Sequence, residues 1–168
     1  MERLNDIHAQ EDEEYDICNK LSLLPENGTI TVRDLTYSYS GAERDYAIKN
    51  LSLDIPEGKV TAIVGESGSG KTTLIKLLQG FYKPNSGTIK VGGISLDCIN
   101  PHLWRKSTGS VMQESYIFSD TIAKNIALST DEVDVKRLYD SALLANADEF
   151  ISALPLGYNT RIGMEGSG

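Results

Sequence analysis

The chain has only two cysteines, Cys18 and Cys98, and two histidines, His8 and His102, among 168 residues. With no CxxC pair and so few imidazoles, neither a zinc-knuckle nor a disulfide framework organises it, and the thiols read as free, buried or half-buried groups suited to a reducing compartment. No uninterrupted apolar run reaches the roughly 18 residues that a membrane-crossing helix needs, and no apolar segment follows a basic start at the N-terminus. These residues therefore carry neither a transmembrane span nor a secretory signal. Basic residues are also in short supply: 16 Lys and Arg against 24 Asp and Glu leave a net charge of −8. A nucleic-acid face needs a basic stripe, so nucleic acid is not an expected partner and any contact with phosphate must be local.

What is present suits one folded domain with a single core, 40% apolar and 24% charged. Acids crowd the N-terminal stretch (Glu2, Asp6, Glu11, Asp12, Glu13, Glu14, Asp16), so residues 1–27 read as a solvated lead-in closed by the turn Pro25-Glu26-Asn27-Gly28. In the next segment Ile30 and Val32 share a face, and the apolar phase then slips near Asp34 so that Leu35, Tyr37 and Tyr39 share one, which predicts a kinked strand. Ala47 to Ile55 predicts a second strand, antiparallel to the first and ended by Pro56-Glu57-Gly58.

The most informative stretch is Gly65-Glu66-Ser67-Gly68-Ser69-Gly70-Lys71-Thr72, a GxxxxGK[ST] phosphate loop. Glycines let the backbone turn its amides inward around phosphate oxygens, the Lys71 ammonium reaches the β- and γ-phosphates, and the Thr72 hydroxyl is placed to ligate Mg²⁺. A helix beginning at the loop adds its positive end to the same anion site. Lys59-Val60-Thr61-Ala62-Ile63-Val64 ahead of it reads as a buried strand, and Thr73-Leu74-Ile75-Lys76-Leu77-Leu78 behind it as a helix ending near Gly80. Strand, glycine loop and helix in that order imply a site for a nucleoside triphosphate.

Further along, Thr88 to Val91 and Ile94 to Leu96 flank Gly92-Gly93 as a hairpin. Asn100-Pro101 opens a short helix in which Trp104 serves packing. A brief apolar stretch, Gly109 to Met112, reads as a strand ending at Gln113. The spacing of Val135, Leu138, Ala142 and Ala145, continued by Phe150, Ile151 and Leu154, predicts a helix that Pro155 stops.

Taken together, Tyr39, the loop Gly65 to Thr72 with Thr73, the Gly92-Gly93 hairpin, Gln113 and the run Ser119 to Ile126 resemble the first part of an ATP-binding cassette, the nucleotide-binding domain of ABC transporters. Thr121-Ile122-Ala123-Lys124-Asn125-Ile126 is similar to the TIxxNI run of exporter cassettes. Glu2 to Ile7 resembles the connector to a transmembrane domain, and with Gly163 to Gly168 it is most similar to bacterial peptide or bacteriocin exporters that carry a peptidase domain.

The resemblance implies an α/β P-loop NTPase fold: an antiparallel β subdomain, part of a RecA-like core and the start of a helical subdomain. It divides the chain into a linker, 1–27, and a partial nucleotide-binding domain, 28–168. It implies ATP and Mg²⁺ as cofactors, Lys71 and Gln113 as catalytic groups, and Thr72 and Gln113 at the metal. Gly65, Glu66, Ser67, Gly68, Ser69, Gly70, Lys71, Thr72, Thr73 and Gln113 would surround the nucleotide, and Tyr39 would stack on adenine. The alternative reading of Tyr39 is a core tyrosine paired with Tyr37. Glu165 lies where exporter cassettes place a glutamate against the coupling helices, within Met164-Glu165-Gly166 in place of the usual Gly-Glu-Arg-Gly. Implied partners are the transporter's transmembrane domain and a second, homodimeric cassette, which would hold the chain at the cytoplasmic face of the plasma membrane.

The LSGGQ signature, the magnesium-binding Asp, the catalytic Glu beside it and the switch His of the family have no match here, and neither His8 nor His102 falls in the switch position. The chain is therefore expected to bind ATP without turning it over, and to be marginal or prone to association, because the strand bearing the unmatched Asp would flank 59–64. Another P-loop ATPase or kinase, and a non-catalytic nucleotide-sensing module, are the alternative functions.

Overall fold

The structure, a computed structural model, describes residues 20–40, 45–112, 116–128 and 133–163. Two units emerge, Met1–Ser110 and Val111–Gly168, where composition alone suggested a single core.

In the first unit, β1 (Ile30–Tyr37), β2 (Ile48–Ile55), β3 (Ser86–Val91) and β4 (Ile94–Ser95) form one antiparallel sheet in the order β2-β1-β3-β4. Val32 faces Leu53 on one side and Ile89 on the other, while Leu35 faces Leu51. The expected kink is real: Asp34 has φ +50° and the register shifts between Val32 and Leu35, so both side chains reach the core. A bulge leaves ladder amides without strand partners, and hydroxyls take them up. The Asp34 amide donates to Ser52 Oγ at 2.9 Å and the Asn50 amide to Thr36 Oγ1 at 3.0 Å.

Helix α1 (Lys71–Leu78) lays Leu74 and Leu77, one turn apart, on this sheet against Val32, Leu35, Tyr37, Ile48 and Ile89. The hairpin between β3 and β4 turns at Gly92 and Gly93, both at positive φ. At Gly92 no other residue fits, since a Cβ would lie 2.3 Å from the Asn27 carbonyl. Helix α2 (Pro101–Ser107) is capped by the Asn100 side chain, which accepts from the His102 amide at 2.9 Å. Trp104 is buried in it as expected, and its indole N–H donates to the Leu78 carbonyl at 2.8 Å, tying α2 to the end of α1. The end of the lead-in is held as well. Leu21 pairs in parallel with Ile99, its amide donating to the Cys98 carbonyl at 2.8 Å.

Three expectations fail between residues 60 and 112. Residues 60–65 form no strand, and Val60 and Val64 are 100% and 88% exposed. A strand of a parallel sheet needs neighbours on both edges and cover on both faces, and among the described residues no strand pairs with this run. The stretch 109–112 likewise forms no strand, and Val111 is exposed. Cys98 is free but exposed rather than buried, because it lies in a single 3₁₀ turn, Leu96–Cys98, that turns only its neighbour Ile99 inward.

In the second unit β5 (Asp120–Thr121) pairs antiparallel with β6 (Arg161–Ile162), and α3 (Ile122–Ala127) follows β5 directly. Asn125 explains why this run holds its shape: its side chain accepts from the Phe118 amide at 2.8 Å and donates to the carbonyls of Phe118 and Thr121, each at 3.0 Å. The single helix expected up to Pro155 is two, α4 (Val135–Leu144) and α5 (Asp148–Ser152). Asn146 at φ +53° ends α4, a left-handed position that asparagine tolerates better than most residues. Leu138, Ala142 and Ile151 are buried as the spacing predicts, whereas Val135, Ala145 and Phe150 are exposed. Among the described residues no helix is long and apolar enough to cross a membrane.

Candidate functional site

The loop 65–70 runs into α1 through Gly70, whose φ of +87° is the left-handed conformation in which glycine is at ease. A Cβ there would sit 2.4 Å from the Ala47 carbonyl, so the start of α1 is seated against the start of β2 at a distance only glycine allows. No side chain caps this helix and its first turn holds no acid. Its leading amides are thus left for an external acceptor, at the end where the helix dipole favours negative charge.

Lys71 folds back across the loop. Its ammonium donates to the Gly65 carbonyl at 2.8 Å, to the Glu66 carbonyl, and to Ser69 Oγ at 3.2 Å. Among the described residues no carboxylate pairs with it. A cation held by neutral carbonyls keeps its full charge for an anion at the loop mouth. Ser67, Gly68 and Ser69 are exposed along the loop, and the Ser69 amide closes a tight turn onto the Glu66 carbonyl at 3.2 Å. Thr72 is exposed at the first turn of α1, so its hydroxyl is accessible as an oxygen ligand for a hard cation such as Mg²⁺. Among the described residues no group of three or more His, Cys, Asp or Glu could hold a metal ion by itself. A lone hydroxyl beside a phosphate cradle fits Mg²⁺, which is usually held by few protein ligands together with substrate phosphates.

Thr73, one residue further on, is buried, and its Oγ1 lies 2.9 Å from the Tyr39 hydroxyl. Tyr39, just past β1, thereby joins the phosphate-loop helix. Its ring meets Tyr37 edge-on at 5.1 Å, as the core reading had it, yet remains 58% exposed. The core pairing with Tyr37 is thus present in a side chain whose ring stays largely open to solvent. Tyr82 completes the cluster, stacked on Tyr37 at 5.4 Å and edge-on to Tyr39 at 5.5 Å. Burial, then the neighbouring Tyr82 and Tyr39, pushes the Tyr37 hydroxyl above its ordinary value.

Gln113 and Glu165 lie outside the described residues. Tyr82 was missed from sequence, because it follows the end of α1 where no periodicity marks a side chain as inward. Its only signal was an aromatic residue just ahead of the turn at Pro84.

An antiparallel sheet covered by a helix that starts in a glycine-rich loop defines an α/β phosphate-loop protein. The comparisons carry this further: the ABC transporter family model matches residues 48–166, and the chain belongs to that family. It is 38% identical over 166 residues to the alpha-hemolysin translocation ATP-binding protein HlyB of Escherichia coli, covering 99% of this chain and 23% of that protein. It is 39% identical, with the same coverage, to the leukotoxin translocation ATP-binding protein LktB of Mannheimia haemolytica. In fold it matches a bacterial Atm1-family ABC exporter solved with ATP bound, with a TM-score of 0.85 and 31% identity over 97% of this chain and 28% of that one. The chain thus spans about a quarter of the length of these relatives.

Proposed function

We propose that this chain is the ATP-binding portion of an ABC exporter, with residues 1–27 leading in from a transmembrane domain and 28–168 contributing the first part of the nucleotide-binding domain. The observation that carries the proposal is the seating of Lys71, an ammonium bridging both sides of a glycine-rich loop at an uncapped helix start. Polypeptide cargo is supported by the names of the relatives, which translocate alpha-hemolysin and leukotoxin. The whole transporter would pair this cassette with a second copy at the cytoplasmic face of the membrane.

In this reading each residue has one task. Backbone amides of 65–72 and the Lys71 ammonium bind and neutralise the phosphates, which is the protein's main contribution to phosphoryl transfer. Tyr39 offers its exposed ring face to the base. Thr72, with Gln113, would hold Mg²⁺, whose chemistry when bound is to neutralise charge between the β- and γ-phosphates. Glu66, Ser67 and Ser69 shape the loop. Hydrolysis needs groups beyond these, so the chain binds nucleotide without turnover.

Calorimetric titration with ATP and Mg²⁺ tests this. Heat of binding in the parent chain and none in Lys71→Ala of unchanged circular dichroism is the expected result. A folded parent that gives no heat, or phosphate-loop-dependent hydrolysis by these 168 residues, would overturn it.

A further inference from the structure

Tyr82 is remote in sequence from Tyr39 and stands outside the phosphate loop, yet it touches the side chain on which base recognition depends. Its ring lies edge-on to Tyr39 at 86°, with centroids 5.5 Å apart, and stacks on Tyr37 at 25°. Lys76, in the last turn of α1, places its ammonium 5.9 Å from the centre of the Tyr82 ring. Tyr39 is anchored at its other end by the hydroxyl contact with Thr73, in the first turn of the same helix. The exposed Tyr39 ring is therefore gripped from both ends of α1, through Thr73 at the start and through Tyr82 and Lys76 at the finish. A ring held at only one point would turn about its side-chain bonds, and any stacking ligand would have to meet the entropy of ordering it.

We propose that Tyr82 is a positioning residue for the nucleobase: with Thr73 it fixes the Tyr39 ring at a set place relative to the phosphate loop, so that a ligand bearing both an adenine and a polyphosphate is favoured over polyphosphate alone. The proposal rests on the reading of Tyr39 as the base platform. It separates two functions that share α1. The start of the helix binds phosphate whether or not Tyr39 is ordered, whereas base stacking depends on Tyr82.

The test is calorimetric titration of the 168-residue chain with ATP and, separately, with inorganic tripolyphosphate. Tyr82→Leu is expected to weaken ATP binding about three- to ten-fold, the range of a lost edge-to-face ring pair, with tripolyphosphate affinity unchanged. Tyr82→Phe, which keeps the ring, should restore ATP affinity. Tyr39→Leu with Tyr82→Leu together should bind ATP no worse than Tyr39→Leu alone, because Tyr82 acts through Tyr39. Equal weakening toward both ligands marks Tyr82 as merely structural, and additive losses in the double variant show that it acts without Tyr39; either overturns the proposal. Undiminished ATP affinity in Tyr39→Leu removes the base platform itself, whereas loss in Tyr39→Leu without loss in Tyr82→Leu removes only the role of Tyr82. Should Tyr82→Leu not fold, Tyr82→Met, which also removes the ring, is read in the same way: a loss of about three- to ten-fold confined to ATP supports the proposal, and none overturns it.

Discussion

Two stretches of the first unit are equally apolar in sequence and end in opposite states. The sheet of β1 to β4 buries Val32, Leu35, Ile89 and Val91, while Lys59 to Val64, just as rich in β-branched residues, forms no strand and leaves Val60 and Val64 in solvent. The difference is not propensity. Every strand of the sheet finds its partner within the chain, through antiparallel pairings that nearby segments complete. The run before the phosphate loop is of the parallel-sheet kind, whose edges must be supplied from distant segments. A strand is thus a property of a pair, and a segment with a strand's composition but no partner stays unformed.

The sharpest test of that contrast is to cut a side chain from each stretch. Leu35→Ala should cost about 2–5 kcal/mol, since a fully buried leucine leaves a cavity. Val64→Thr should stay within about 0.5 kcal/mol, as substitutions on an exposed surface do. Urea unfolding followed by emission of Trp104, the only tryptophan, reads both. Equal costs would mean that 59–64 is packed in solution. This run, without a strand partner among the described residues, is also the expected seat of self-association, which Val64→Lys should reduce in analytical ultracentrifugation.

A smaller effect is expected in the second unit, where two-residue strands leave side chains to bind the backbone. Asn125→Ala removes bonds to Phe118 and Thr121 and should destabilise that unit by about 1 kcal/mol, with faster hydrogen exchange at the Phe118 amide. Exchange that stays at the parent rate would show that β5 and β6 hold without it.

The smallest effects are in pH dependence. Tyr158 is pushed up to about 12 by burial, then by the hydrogen bond it donates to Asp148 at 2.6 Å. A raised folded value means the stabilisation is complete below the free value of 10.0 and is lost as pH rises through about 12. Asp120 has the opposite sense. The Thr121 amide, then Lys124, holds its carboxyl below 3.8, so its contribution is present above that value and lost on acidification through the lower folded one. Tyr158→Phe should flatten the alkaline limb of a melting profile and Asp120→Asn the acid limb. Unchanged limbs would show that neither pair forms in solution.

Much of this was legible in the order of residues. The phosphate loop, the hairpin at Gly92-Gly93, the phase slip at Asp34 and the Asn100-Pro101 helix start all appear where their residues put them, because each is decided by side chains and backbone freedom within a few positions. The break at Asn146 was not legible, since the apolar spacing continues through it and only the left-handed turn interrupts the helix. Nor was the exposure of Cys98, which depends on how one 3₁₀ turn meets its neighbours.

The chain's composition and local patterns were enough to mark out the loop proposed to bind phosphate, since glycine spacing and one lysine are short-range requirements. Which aromatic ring lies beside that loop, and what steadies it, depended on folding: Tyr39, Thr73 and Tyr82 meet only once β1 and α1 have packed across a shared core. Contacts between remote segments have no period to read, because they arise from the burial that brings those segments together.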